Sequence, residues 1–271
     1  MSTWKNILRK KVRNLSDFKI AWMFPDTLCL HGERGNILAL KRFAGVGGFN
    51  PVVDKIDFET NDFNPSNYQV IFFAPGEISS FPAVIKWLSR HADVLKRFVE
   101  GGRVLLVTGT SVAMFGNKIV RTNGENINAL GLLDATYKEK PDVYGDDVYF
   151  TATFNNKEIE VIGNQIQMGD FIIGKEREFG KLLYGYGNTS EDLKEGAQVG
   201  NSIFTNTLGP MLVCNPALTI EIIKASSEAS KLTADELSLE GYDDTLERKS
   251  FDAKKKFIAE KETNLKNCPH S

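Results

Sequence analysis

Histidine, the commonest general base, is scarce: the 271 residues contain three, His31, His91 and His270. Cysteine is as rare, and Cys29, Cys214 and Cys268 are odd in number, scattered and without CxxC spacing. That excludes a disulfide framework or a zinc knuckle and reads as the reduced thiols of a cytoplasmic protein. No His/Cys/carboxylate group has metal-ligand spacing, no GxxxxGK[ST] run supplies a P-loop, and GVGG at 45–48 lacks GxGxxG spacing and reads as a helix-stopping turn. No cofactor is expected. No run approaches the roughly 20 apolar residues that span a bilayer, and the basic N-terminus lacks the apolar stretch of a secretory signal. An excess of one charge is missing too: a formal net charge of −2 gives no general attraction to nucleic acid. Internal repeats and low-complexity linkers are absent.

What remains is ordinary soluble-globular composition, 42% hydrophobic and 25% charged, in a chain long enough for one large α/β domain with additions. Apolar runs at 18–24, 51–56, 69–74 and 103–107 read as strands, the last two buried on both faces. Between them 33–43 reads as a helix. A second helix is expected over 81–100, with Ile85, Leu88, Ala92, Leu95 and Val99 on one face and Gly101-Gly102 as its stop. This alternation implies a parallel sheet with helices on both faces. Beyond it, 147–154 and 157–162 read as a hairpin about Asn155-Asn156. Strands are expected at 181–184 and 203–205, and helices at 216–229 and 245–261. The organisation expected is a basic extension over 1–17, an α/β domain over 18–230 and a charged helical tail over 231–271. Residues 1–14 carry five bases and no acid, with Trp4, Ile7, Leu8 and Val12 at helical spacing. They read as a helix packed on the domain, or as one that docks on a partner or makes peripheral contact with a membrane surface.

Chemistry points to the stretch EGGRVLLVTGTSVAMFG at 100–116. A buried strand ends in Gly109-Thr110-Ser111 and runs directly into a short apolar helix, the geometry of a nucleophile elbow. The loop Ala74-Pro75-Gly76-Glu77 follows the neighbouring strand. Open parallel sheets bind ligands beyond the carboxyl ends of their strands, so Gly76, Glu77, Gly109, Thr110 and Ser111 are expected to line one crevice, with backbone N–H groups available as an oxyanion hole.

These two loops resemble those of class I glutamine amidotransferases of the cobyric-acid-synthase-like (CobB/CobQ-like) branch. Further blocks are similar to the GatD-type subunits of lipid II isoglutaminyl synthase. They are PDTLCLHGERGN (25–36), ALGLLD (129–134), LYGYGNTSEDLKEG (183–196), GPML (209–212) and DDTLERKSFDA (243–253). The resemblance spans 18–262 and implies a flavodoxin-like, mostly parallel α/β domain with β additions and a C-terminal helical extension. It also aligns the family's nucleophilic cysteine with Gly109 and its histidine base with Leu208. A GYEIHMG-like segment of the branch falls on GNQIQMG at 163–169, where Gln165 and Gln167 replace a Glu and a His. A glycine cannot form a thioester and a leucine cannot accept a proton, so no catalytic residue is expected at either position. The resemblance implies a MurT-like Mur ligase partner and a role in amidating the D-glutamate of lipid II, here by scaffolding or regulation. Two alternatives stay open: a rewired Ser/Thr nucleophile with His31 as base, or a sensor of glutamine or a related small molecule in the former crevice. On this alignment, Gly109→Cys with Leu208→His is expected to restore trace glutaminase. Cys29 and Cys214 read as small structural residues.

Overall fold

A computed structural model describes residues 15–232 and 242–266. The expected reading of residues 1–14, and the positions of Cys268 and His270, lie outside the described residues. In the first half the chain forms β1 (Asp17–Met23), α1 (Arg34–Val46), β2 (Asn50–Ile56), β3 (Val70–Phe73), α2 (Phe81–Leu88), α3 (Ala92–Glu100) and β4 (Val104–Thr108). Then follow β5 (Lys118–Val120), β6 (Asn126–Asn128), β7 (Ala135–Phe154), β8 (Lys157–Ile173), β9 (Gly180–Tyr184), β10 (Lys194–Glu195), β11 (Ala197–Val199) and β12 (Ser202–Thr205). Three helices close the described chain: α4 (Met211–Cys214), α5 (Pro216–Ala229) and α6 (Thr245–Lys266).

The first sheet runs β2-β1-β3-β4-β12-β11. Its first five strands are parallel and only the edge strand β11 is antiparallel. That is the flavodoxin-like order 2-1-3-4-5. Every residue of β3, β4 and β12 is buried, as continuous apolar runs require when helices cover both faces. The register aligns Met23 with Phe73, Phe73 with Val107 and Thr108 with Thr205, so four strands finish along one carboxyl edge.

The β additions amount to a second sheet of six strands, ordered β10-β9-β7-β5-β6 with β8 paired to β7. The hairpin expected to span 147–162 is much longer, pairing Ala135 with Ile173 at one end and Phe154 with Lys157 at the other. Its turn is as expected: Asn155 and Asn156 take φ of 49° and 60°, the left-handed conformation that tight two-residue hairpin turns demand and asparagine tolerates. The rest of the ladder escaped notice because polar residues at 138–147 and an irregularity between Glu139 and Tyr144 break the alternation.

The single helix expected over 81–100 is corrected: it is two helices joined by a 3₁₀ turn at Ser89–His91. Each half buries its own stripe, Phe81, Val84, Trp87 and Leu88 in α2 and Leu95, Phe98 and Val99 in α3, whereas Ile85 and Ala92 are half-buried. His91 therefore sits at the break and not within a helix. There it packs against Trp87 and Phe63, with ring centroids 4.6 and 5.3 Å away. Helix α1 runs on to Val46 and stops at Gly47 and Gly48, the latter at φ 85°.

The two sheets meet across the 3₁₀ segment Gly109–Phe115, all seven residues of which are buried. Phe115 wedges between Phe73 and Phe204, at centroid distances of 5.0 and 5.5 Å. On the outer face of β7 and β8, α6 is strapped down by Lys254 to Asp147 (2.8 Å), Lys255 to Glu160 (2.7 Å) and Lys261 to Asp146, with Ile258 buried beneath it. No helix among the described residues is long and apolar enough to cross a membrane.

Candidate functional site

The candidate site lies where β1, β3, β4 and β12 end. Thr108 closes β4 in extended conformation and the chain turns at Gly109, whose φ of 59° L side chains rarely adopt. A Cβ placed on Gly109 would lie 2.8 Å from Pro75 Cβ and 3.0 Å from Leu208 Cδ2. Positions 75, 109 and 208 thus converge on one point from three loops. The volume a nucleophilic side chain would need is already occupied by a proline ring and a leucine methyl.

Of the residues expected to line the crevice, Gly76, Gly109, Thr110 and Ser111 are brought together, while Glu77 sits at the exposed edge. Their polar groups are turned on one another. The Gly76 N–H donates to Thr110 Oγ1 (3.2 Å), and the Thr110 hydroxyl donates to the Gly76 carbonyl (2.6 Å). Ser111 donates to the Ala74 carbonyl (2.7 Å) and Thr108 to that of Phe73 (3.3 Å). The hydroxyls staple the elbow to the loop after β3. The Thr110 and Ser111 hydroxyls, committed to carbonyls, are oriented away from nucleophilic work. His31 is exposed in the loop after β1, at φ 60°. His91 is held below the usual imidazole range by burial, with Arg90 adding to the effect.

Leu208 is fixed by a two-way backbone bridge with Asn164, its N–H donating at 2.8 Å and its carbonyl accepting at 3.0 Å. The next peptide, Gly209-Pro210, is cis, and the Gly209 N–H donates to Glu33 Oε1 at 2.9 Å. Glu33 was not foreseen as part of this site. It precedes α1, is 1% exposed, and accepts from the Asn36 side-chain amide as well. Burial pushes its carboxyl up to about 7, opposed by the hydrogen bonds from Gly209, Asn36 and Thr108.

No family model matches the chain. The GatD subunit of lipid II isoglutaminyl synthase from Staphylococcus aureus is 27% identical over 219 residues, 79% of this chain and 86% of that one. Its counterpart from Streptococcus pneumoniae is 23% identical over 231 residues, 84% and 86% of the two chains. The chain is similar to GatD over most of its length. Among solved structures, a glutamine amidotransferase from Thermotoga maritima is similar at TM-score 0.45 and 14% identity, covering 89% of this chain and 93% of that one. The PurLQS structure from the same organism is similar at TM-score 0.47 and 13% identity, over 79% and 97%.

The GERGN and GYGN blocks, which resemble GatD in sequence, are the braces of this site. In GERGN, Glu33 and Asn36 hold the Gly-Pro loop, since Asn36 Oδ1 also accepts from the Leu212 N–H at 2.8 Å. Gly35 lies so close to Pro210 that a Cβ would overlap its ring. In GYGN, the buried Asn188 accepts from the N–H of Gly196 (2.6 Å) and the amide of Asn206 (3.0 Å), and donates to the Gly196 carbonyl (2.8 Å). Gln165 and Gln167 bond each other and the carbonyls of Gly187 (2.6 Å) and Asn188 (3.0 Å), so their neutral amides tie β8 to the GYGN loop. Beneath them Glu195 is wholly buried. It accepts from the Thr205 hydroxyl and the Asn206 N–H, both at 2.8 Å, and burial pushes its carboxyl up to about 7 despite them. Cys214 stands beside Gly209, where burial pushes its thiol up, and Cys29 is exposed in the first loop.

Proposed function

We propose that this chain is a glutaminase-silent GatD-like subunit that acts by binding, scaffolding or regulating a MurT-like Mur ligase in amidation of the lipid II D-glutamate. The observation that carries the reading is the filled volume at Gly109. Glutamine hydrolysis in this chemistry needs a thiolate to attack the carboxamide and an imidazole to move the proton. Gly109 and Leu208 supply neither, and Pro75 and Leu208 close the space in which the attack would occur. The same closure disfavours a sensor that holds glutamine in its former place. The pathway is supported by the relatives, both named as subunits of a glutamine-hydrolysing lipid II isoglutaminyl synthase. With no ammonia made here, the ligase would draw on free ammonia or another nitrogen donor.

The test is purification of the tagged chain from its native host under mild conditions, followed by a glutamate-release assay on the intact eluate. A stoichiometric ligase-like partner and no glutamate from glutamine are expected. Glutamate release abolished by Ser111→Ala or Thr110→Val would overturn the reading in favour of a rewired hydroxyl nucleophile. A chain that elutes alone would overturn the subunit role.

A further inference from the structure

We propose that the loop after β12, residues 206–209, is a proton-gated latch on the elbow: protonated Glu33 and Glu195 hold it shut, and their ionisation lets it lift and draw Leu208 away from Gly109.

The loop hangs between the two carboxyls. At its start Glu195 Oε1 accepts from the Thr205 hydroxyl and the Asn206 N–H, both at 2.8 Å. At its end Glu33 Oε1 accepts from the Gly209 N–H at 2.9 Å. Between them stands Leu208, whose Cδ2 helps fill the space beside Gly109. Its backbone bridge to Asn164, at 2.8 and 3.0 Å, ties the middle of the loop to β8. A change at the two acids therefore acts on the residue that closes the crevice.

Both acids are buried, Glu33 at 1% and Glu195 at 0% exposure. Neither enters an ion pair among the described residues. A charged carboxylate so placed is costly and a neutral carboxyl much less so. At Glu195 the cost is sharpest. Its Oε2 and the Thr207 Oγ1 are buried without a hydrogen-bond partner among the described residues. Ionisation would leave charge on an interior oxygen that lacks a hydrogen bond.

The groups packed around the two acids supply no countercharge. Facing Glu195 are the neutral Thr205, Asn206 and Thr207. Facing Glu33 are Thr108 of β4, Asn36 of α1, the Gly209 N–H and the Cys214 thiol of α4, with Lys254 of α6 acting on that thiol. Burial accordingly holds both carboxyls up at about 7. Lifting the loop lets water reach them and returns them toward the ordinary 4.5. Opening is rarest below that value. Between it and 7 each carboxyl makes opening about tenfold more frequent per pH unit, and above 7 the gain levels off because the closed loop is ionised too.

Amide exchange of the full-length chain, resolved by NMR and divided by the base-catalysed rate of a free amide, tests this. From pH 5 to pH 7 the protection of Asn164, Leu208 and Gly209 should fall at least about a hundredfold, while Phe73 of β3 and Leu106 of β4 keep theirs. Glu33→Gln and Glu195→Gln copy the neutral carboxyl. Each should remove about half of the fall on a logarithmic scale, and the double variant nearly all of it. A merely structural role would weaken the loop alike at every pH. Protection unchanged between pH 5 and 7, an equal fall in β3 and β4, or a slope that survives in the double variant would each overturn the latch. Should a glutamine variant fail to fold, infrared difference spectra of the unaltered chain carrying ¹³C-glutamate still decide. Two protonated carboxyls are expected at pH 6, well above the ordinary carboxylate range, and finding none would overturn the proposal.

Discussion

At Gly109 the backbone conformation and the neighbours both forbid a side chain. We predict that Gly109→Ala lowers stability by about 1–3 kcal/mol, from a strained φ and a contact Pro75 cannot relieve by rotating, as measured by urea unfolding. The trace activity expected from Gly109→Cys with Leu208→His is revised on the same ground: with Pro75 in place the new thiol has no room, and glutamate release should stay at the blank. Adding Pro75→Gly should make that thiol reactive to iodoacetamide; equal reactivity with and without Pro75→Gly would refute the steric argument. Glu33 and Glu195 give a pH prediction. Both carboxyls are raised to about 7 in the fold from an ordinary value near 4.5. Between those values the native state holds protons that the unfolded chain has lost, so stability falls as pH rises. The thermal midpoint should be higher at pH 5 than at pH 8, by an amount corresponding to a few kcal/mol in order of magnitude. Glu33→Gln should flatten the slope; a midpoint that rises from pH 5 to 8 would sink the assignment. Neither carboxyl was legible in the sequence. An acid one residue before a helix reads as a solvated charge, and nothing in the sequence places it against the loop at Gly209.

Among the elements, the parallel strands were legible because burial on both faces leaves the continuous apolar runs Val70–Phe73 in β3 and Val104–Val107 in β4, whereas β12 buries Ser202 and Thr205 beside two apolar residues. The break between α2 and α3 was not, since Ser89-Arg90-His91 contains neither proline nor glycine, and Leu88 and Leu95 fit one continuous helical face. The length of β7 and β8 was hidden for the opposite reason: one face of the hairpin carries α6 through charged side chains, so its residues look like loop. Helix α6 is held by three lysine–carboxylate contacts and one buried isoleucine. Exposed ion pairs contribute little each and are screened by salt. We therefore expect Ile258→Ala to matter more than Lys255→Ala, by about 2–4 kcal/mol of local opening against less than 1. Hydrogen exchange over 245–262 would report this, with β3 and β4 unaffected.

For the whole molecule, the seam between the sheets is the 3₁₀ segment 109–115, so the elbow is also the joint of the architecture. Phe115→Ala should remove about 3–5 kcal/mol and unfold both sheets in one transition, seen as coincident fluorescence and circular dichroism curves; two separated transitions would show that the sheets are independent. The hydroxyls of Thr108, Thr110 and Ser111 serve that joint, each bonded to a carbonyl of β3 or the loop after it. The packing at Gly109 also bears on descent. A lineage that placed cysteine there would first meet a clash with Pro75, and one that placed histidine at 208 alone would have no thiol beside it. Each such step is unfavourable until the others are present, so under the proposed silent role the packing would act as a ratchet. On that reading, descendants of this chain would be free to change their partners and their surface but would not drift into hydrolysing glutamine.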